Sequence, residues 1–245
     1  MNVHRFFVDL KIISADKTVE ITGQDATHIS RVLRLKPQDK LVLCDGQGRE
    51  LDAVIAEVKK GSVVCSILKE TRIPRTSRVL SVFQAVPKAK KMDLIVEKLT
   101  EIGVDEIIPV VMKRSVPDFK RGQEASRLIR WRKLAIEASK QSHRAYLPIV
   151  SDITAWHDAL DRMAGQDAVI VSWESESKTG IGEVEIRDAD KAGLVIGPEG
   201  GFDDSEISDL KALGAKTISL GRNILRTETA AVVASALVMH QMGLL

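Results

Sequence analysis

LVIGPEGGFDDSE (194–206) and SLGRNILRTETAA (219–231) decide the reading of this 245-residue chain. In the first, an apolar strand runs straight into Gly-Pro-Glu-Gly-Gly. A helix start follows, with Asp203 and Glu206 three residues apart as a capping-box pair. Glycines at a strand's carboxyl end let a ligand approach the backbone closely, at the edge where open α/β sheets bind ligands. A plain strand-to-helix turn would account for one or two of these glycines more easily than for the whole five-residue turn with Glu199 inside it. In the second stretch a strand ends at Gly221. Arg222, Asn223, Arg226, Thr227, Glu228 and Thr229 then crowd ahead of an Ala/Val-rich helix. Arg226 and Glu228 flank a helix N-terminus, where backbone N–H groups lack intrahelical partners. Pattern alone leaves two readings level here: a binding loop, or Thr227 as N-cap beside a surface ion pair worth little.

Outward from these loops, strands alternate with helices. VLSVFQAV (79–86), DEIIPVVM (105–112), AVIVS (168–172), AGLVIG (192–197) and AKTISLG (215–221) read as strands, the first as one covered on both faces. Helices are expected at about 88–102, ending at Gly103, at about 123–142, at 205–213 and at about 227–241. Such alternation implies a mostly parallel sheet with helices on both faces. The tail TAAVVASALVMHQMGLL (229–245) is apolar nearly all round, which marks a helix buried in the core or in a subunit interface.

Residues 1–72 read differently. Leu51, Ala53 and Ile55 alternate with polar neighbours, and Gly-containing turns separate short strands, as in a small barrel. One helix at 25–35 would place His28, Ile29, Val32 and Leu33 on one stripe. ETRIPRTSR (70–78), with Pro74 and three arginines, marks the boundary to a second domain over 76–245.

Composition narrows the function. Cys44 and Cys65 form neither a disulfide framework nor a zinc ribbon, and the histidines at 4, 28, 143, 157 and 240 lack ligand spacing, so no metal is expected. P-loop, dinucleotide and GxSxG fingerprints are absent. The apolar stretch Ala230 to Met239 is too short to span a bilayer and the N-terminus has no apolar h-region, so a cytoplasmic protein off the membrane is expected. Residues 1–150 carry 28 Lys+Arg against 18 Asp+Glu, and residues 151–245 carry 8 against 16. That separation suits one polyanion-facing surface, although solvated basic helices would give the same count.

The two loops, in this order near the C-terminus, resemble the signature of the ribosomal RNA small subunit methyltransferase E family. HRFF (4–7), HISRVLRL (28–35), EKLTEIGVDEIIPV (97–110) and EASKQSHR with Pro148 (137–148) extend the resemblance over nearly the whole chain. His143 departs from the small residue usual before Arg144. The resemblance implies an α/β fold: a C-terminal SPOUT-type domain with a deep trefoil knot, preceded by a small PUA-like β-barrel that helps hold RNA. It further implies a homodimer that uses S-adenosylmethionine to methylate N3 of a uridine in 16S ribosomal RNA of the small subunit. Ile196, Gly197, Pro198, Glu199, Gly200, Gly201, Leu220, Gly221, Asn223, Ile224, Leu225, Arg226 and Thr229 would then hold the cofactor. Arg226 would steady negative charge on a uracil carbonyl oxygen, and Glu228 would orient it or take the N3 proton. Arg5, Arg31 and Arg34 in the first domain, and Lys88, Lys91 and Arg144 in the second, would meet RNA phosphates. With 4% aromatic residues, charge and shape rather than base stacking should dominate RNA recognition. A SPOUT enzyme acting on a ribose or another base, and a non-enzymatic RNA-binding protein with structural glycine loops, are the competing readings.

Overall fold

The computed structural model describes residues 3–9, 13, 16–88, 91–115 and 123–245. Contacts divide it into two compact units: Met1–Arg75 with Ser139–Leu147, and Thr76–Ala138 with Pro148–Leu245.

The first unit comprises β1 (His4–Phe7), β2 (Thr18–Thr22), α1 (Gly23–Thr27), β3 (Lys40–Cys44), β4 (Arg49–Lys59) and β5 (Ser62–Arg72). The strands form one sheet in the order β1-β3-β4-β5-β2, antiparallel except for β1 on β3. The period-two pattern of β4 is realised: Leu51, Ala53 and Ile55 are buried with Phe6, Val19, Ile21, Leu41, Leu43, Val63 and Cys65. The expected helical stripe fails. After α1 the chain forms a π-helical turn over His28–Val32, and Leu33 N–H reaches back five residues to His28 O. This wider turn separates positions three apart, so Ile29 is fully buried while Val32 is 67% exposed.

Ser139–Leu147 also joins this unit. Gly48 N–H donates to Ala145 O and Leu147 N–H to Gly46 O, at 3.1 and 3.0 Å. The Tyr146 hydroxyl donates to Ile73 O at 2.7 Å. Arg144, expected in the second domain, therefore belongs with the first unit.

The second unit comprises β6 (Val79–Ala85), α2 (Lys91–Ile102), β7 (Glu106–Val111), α3 (Gln123–Gln141, in this unit as far as Ala138), β8 (Ile149–Val150), β9 (Thr154–Ala155), α4 (Trp156–Ala164), β10 (Ala168–Ser172), β11 (Lys191–Ile196), α5 (Asp204–Ala212), β12 (Lys216–Ile218) and α6 (Thr227–Gln241). Every strand pair is parallel, in the order β12-β10-β11-β6-β7-β8, with β9 also on β7. Helix α2 was expected from about 88; residues 89 and 90 lie outside those described. Strand β12 stops at Ile218, short of the expected Gly221, because Ser219 turns to bridge Gly180.

Alternation along β6 sorts the core. Leu80 and Val82 face Ile95 and Leu99 of α2 and Ala231, Ala234 and Val238 of α6. Phe83 and Ala85 face Ala159 and Met163 of α4 and Ile207 and Leu210 of α5. Helix α6 buries Ala231, Ala234, Ser235, Val238 and Met239, the i, i+3, i+4, i+7 spacing of one helical face. Because the sheet is parallel, the segments leaving β6, β10, β11 and β12 all emerge at one edge, and the two glycine loops meet there.

Candidate cofactor site and catalytic cluster

One cavity of about 470 Å³ opens at that edge. Ile196 through Gly201 form one wall and Ser219 through Thr227 the other, closed by Ser172, Trp173, Glu174 and Ala230. Twelve of the thirteen residues expected around the cofactor, Arg226 among them, are thus brought together; Thr229 is the exception, since it faces solvent and does not line the cavity. Ser172, Trp173 and Glu174 escaped the sequence reading. Their signal was the end of AVIVS (168–172), which parallel pairing with β11 carries to the same edge.

The turn is tightly built. Gly201 N–H donates to Pro198 O at 3.0 Å, and Gly201 has φ +70°, where a side chain is strained. A Cβ there would also collide with the Glu174 carboxylate. Asp203 caps α5 in the expected capping box: Asp203 N–H donates to Glu206 Oε2 at 2.9 Å, and Ser205 N–H to Asp203 Oδ1 at 3.2 Å. Hydrogen bonds from the Ser205 hydroxyl and N–H, joined by Lys113, hold the Asp203 carboxyl at about 2.

At the second loop the structure decides between the two readings left level, and Thr227 is not the N-cap. The residue ahead of the helix must be extended to act as N-cap, and Arg226 takes that role with φ −65° and ψ 151°. Thr227, the first helical residue, turns its hydroxyl to Gly197 O at 2.7 Å and thereby ties the two loops together. No ion pair joins Arg226 to Glu228. Among the described residues Arg226 makes no ion pair, and it stands exposed on the cavity wall. Glu228 instead lies 3.4 Å from Lys91 Nζ, which also contacts Glu199 at 2.9 Å. These three side chains are 14%, 31% and 24% exposed. Burial pushes the Glu199 carboxyl up, but the Lys91 ammonium and backbone donors including Lys88 N–H outweigh it and hold the group below its ordinary range. Glu199, with Glu228, raises Lys91 in turn.

The basic residues expected at RNA separate into two sets. Lys91 is committed to two carboxylates. Arg5 is 10% exposed, pairs with Glu50 at 2.6 Å and donates to His143 O at 3.2 Å, so it braces the first unit from inside. Arg31, Arg34 and Lys88 are exposed and Arg144 is half-buried.

The comparisons with known proteins agree with this architecture. Residues 74–239 match the RNA methyltransferase domain family and residues 21–68 the RNA methyltransferase PUA domain family. The chain thus has the two domains of an RNA methyltransferase. The chain is 32% identical to the ribosomal RNA small subunit methyltransferase E of Bacillus subtilis, covering 99% of this chain and 98% of that one. A ribosomal RNA small subunit methyltransferase E from Neisseria gonorrhoeae, solved bound to S-adenosyl methionine, superposes with a TM-score of 0.86 at 28% identity over 98% of each chain. A methyltransferase from Legionella pneumophila, solved in complex with SAM, gives 0.88 at 26%, again over 98% of each chain. The chain belongs to the ribosomal RNA small subunit methyltransferase E family.

Proposed function

We propose that this chain transfers the methyl group of S-adenosylmethionine to N3 of a uridine in 16S ribosomal RNA of the small subunit, in the cytoplasm. The observation that carries the reading is the single cavity walled by both glycine loops. Its volume lies in the range of small-ligand sites, about 300–1,000 Å³. Its lining fits an adenosyl and amino-acid ligand: Ile196, Leu220, Leu225 and Ala230 offer apolar surface, loop backbone offers donors and acceptors, and Glu174 and Glu199 bring negative charge for a cationic ligand. When bound, S-adenosylmethionine supplies an electrophilic methyl group.

The chain must position the base and handle its proton. Uridine N3 carries a proton at neutral pH, so an acceptor is required. Glu228 is the proposed acceptor: its carboxylate is mostly shielded from solvent and lies 3.4 Å from Lys91 Nζ. Arg226, without a carboxylate partner among the described residues, is left to stabilise charge developing on a uracil carbonyl oxygen. Arg31, Arg34, Lys88 and Arg144 are the proposed phosphate contacts. Ser219 bridges Gly180, and Gln241 at the far end of α6 donates to Ile181 O at 2.8 Å. The chain from β12 through α6 is thus tied at both ends to the β10–β11 connection, which supports threading of the tail as a trefoil knot in a SPOUT-type domain. The apolar face of α6, with Leu237 37% exposed, supports a homodimer built on that helix.

The test is methylation of small subunits lacking the modification, followed by digestion and mass analysis of nucleosides. N3-methyluridine is the expected product. A ribose-methylated or differently methylated nucleoside would move the chain to another RNA methyltransferase specificity, and no product together with no S-adenosylmethionine binding by calorimetry would make it a binding protein. Arg226→Ala should lower turnover at least tenfold while cofactor affinity changes little. Equal losses in both would move Arg226 from the reaction to binding.

A further inference from the structure

Gln84 is the one glutamine among the described residues that is fully buried, near the end of β6 with Ile196 of β11 and Pro109 of β7 as its register partners. Alternation puts it on the Leu80 and Val82 face, toward α6. Its Nε2 donates to Ala85 O at 2.9 Å and to the Thr227 hydroxyl at 3.1 Å, whereas its Oε1 has no hydrogen-bond partner among the described residues. A buried amide with an unpaired carbonyl is costly, and an apolar side chain of similar volume would suit this core better.

The polarity of the chain of bonds explains the residue. An amide nitrogen only donates. With Gln84 donating to its oxygen, the Thr227 hydroxyl must send its own proton elsewhere, and that proton goes to Gly197 O at 2.7 Å. Gly197 is held from another side by the Phe202 ring, which leaves no room for a Cβ. Gly197 and Thr227 both line the cavity. We infer that Gln84 is a positioning residue for cofactor binding: its amide orients the Thr227 hydroxyl, which fixes the Gly197 carbonyl and so joins the two loops in their binding geometry. This inference rests on the cofactor reading given above.

The experiment is a double-mutant cycle in S-adenosylmethionine affinity by calorimetry, using full-length wild type, Gln84→Met, Thr227→Val and the double variant, with melting temperature followed in parallel. Thr227→Ser, which keeps the hydroxyl, is the conservative control. Each of Gln84→Met and Thr227→Val should weaken binding roughly three- to tenfold, the loss of one hydrogen bond. The double variant should lose no more than Thr227→Val alone, and Thr227→Ser should bind within about twofold of wild type. Wild-type affinity in Gln84→Met, or losses that multiply in the double variant, would overturn the inference. Gln84→Asn serves if Gln84→Met does not fold: its shorter amide should also weaken binding, and unchanged affinity there counts against the proposal. Failure of the wild type itself to bind S-adenosylmethionine would refute the cofactor reading instead.

Discussion

Gly197→Ala is a one-methyl perturbation whose cost follows from the structure. The added Cβ would lie 2.9, 3.1 and 3.2 Å from three carbons of the Phe202 ring, where contacts of about 3.5–4.0 Å are comfortable. Phe202 is 4% exposed, in the cluster of Phe83, Val195 and Ile207, so it cannot swing into solvent. Retreat of Gly197 instead would strain its 2.7 Å bond to the Thr227 hydroxyl. Overpacking of this kind costs about 1–3 kcal/mol. For a chain of this size each kcal/mol lowers the melting temperature by roughly 2–4 °C. The same displacement moves a cavity wall, so S-adenosylmethionine should bind at least tenfold more weakly, about 1.4 kcal/mol. Differential scanning fluorimetry with and without the cofactor, and calorimetry, read both quantities. Gly182→Ala is the control, because a Cβ there meets nothing within 4 Å and its φ is ordinary. Wild-type melting and wild-type affinity in Gly197→Ala would refute the claim that this glycine is required by packing at the cofactor wall.

In RNA binding measured against salt, Lys88→Ala should flatten the log–log slope by about one, the signature of one lost phosphate contact. Lys91→Ala should leave that slope unchanged, since the ammonium faces Glu199 and Glu228. Glu176 accepts the N–H groups of Lys178, Thr179 and Ser177 and the Thr217 hydroxyl, which lower its pKa from 4.5 to about 2. Its folded value lies below its unfolded one, so its stabilisation is full above about pH 4.5 and is lost as pH falls toward 2. Glu176→Gln should therefore show a shallower loss of stability across that window in acid titrations followed by circular dichroism. Burial pushes both cysteine thiols up to about 11. Ellman's reagent at pH 8 should react slowly with the native protein and fully in urea, and fast native labelling would contradict the buried placement of Cys44 and Cys65.

What was legible in the sequence was what local chemistry enforces. The strand runs of the second unit are apolar on both faces, and Asp203 with Glu206 can serve little else than a helix start, so both read correctly from a few neighbours. In the sequence Thr227 stays open between N-cap and binding loop because hydroxyl residues favour N-caps. Its actual partner, Gly197 O, lies thirty residues away. Val32 misled because a 3.6-residue period was assumed across a turn that closes five residues back. Gln84 carried a signal that the apolar run hid: it is a lone amide at the third inward position of a doubly covered strand. The placement of 139–147 depends on bonds to Gly46, Gly48 and Ile73, which no local pattern announces.

Lys91 shows how a residue wrong for its element can be right for a site. It opens α2, where the helix dipole presents positive charge and a cation is disfavoured. That placement is sustained by two carboxylates brought by other strand ends, Glu199 from the turn after β11 and Glu228 from the first turn of α6. Glu228 itself sits where the dipole favours an anion. Lys88 N–H adds a second tie to Glu199, at 3.2 Å. The segment after β6, the turn after β11 and the start of α6 therefore meet at one ammonium; truncating Lys91 would free Glu228 from it and leave Glu199 with the Lys88 N–H. A basic residue that the family resemblance assigns to RNA phosphates thus sits between two carboxylates, where three segments of the cavity edge meet.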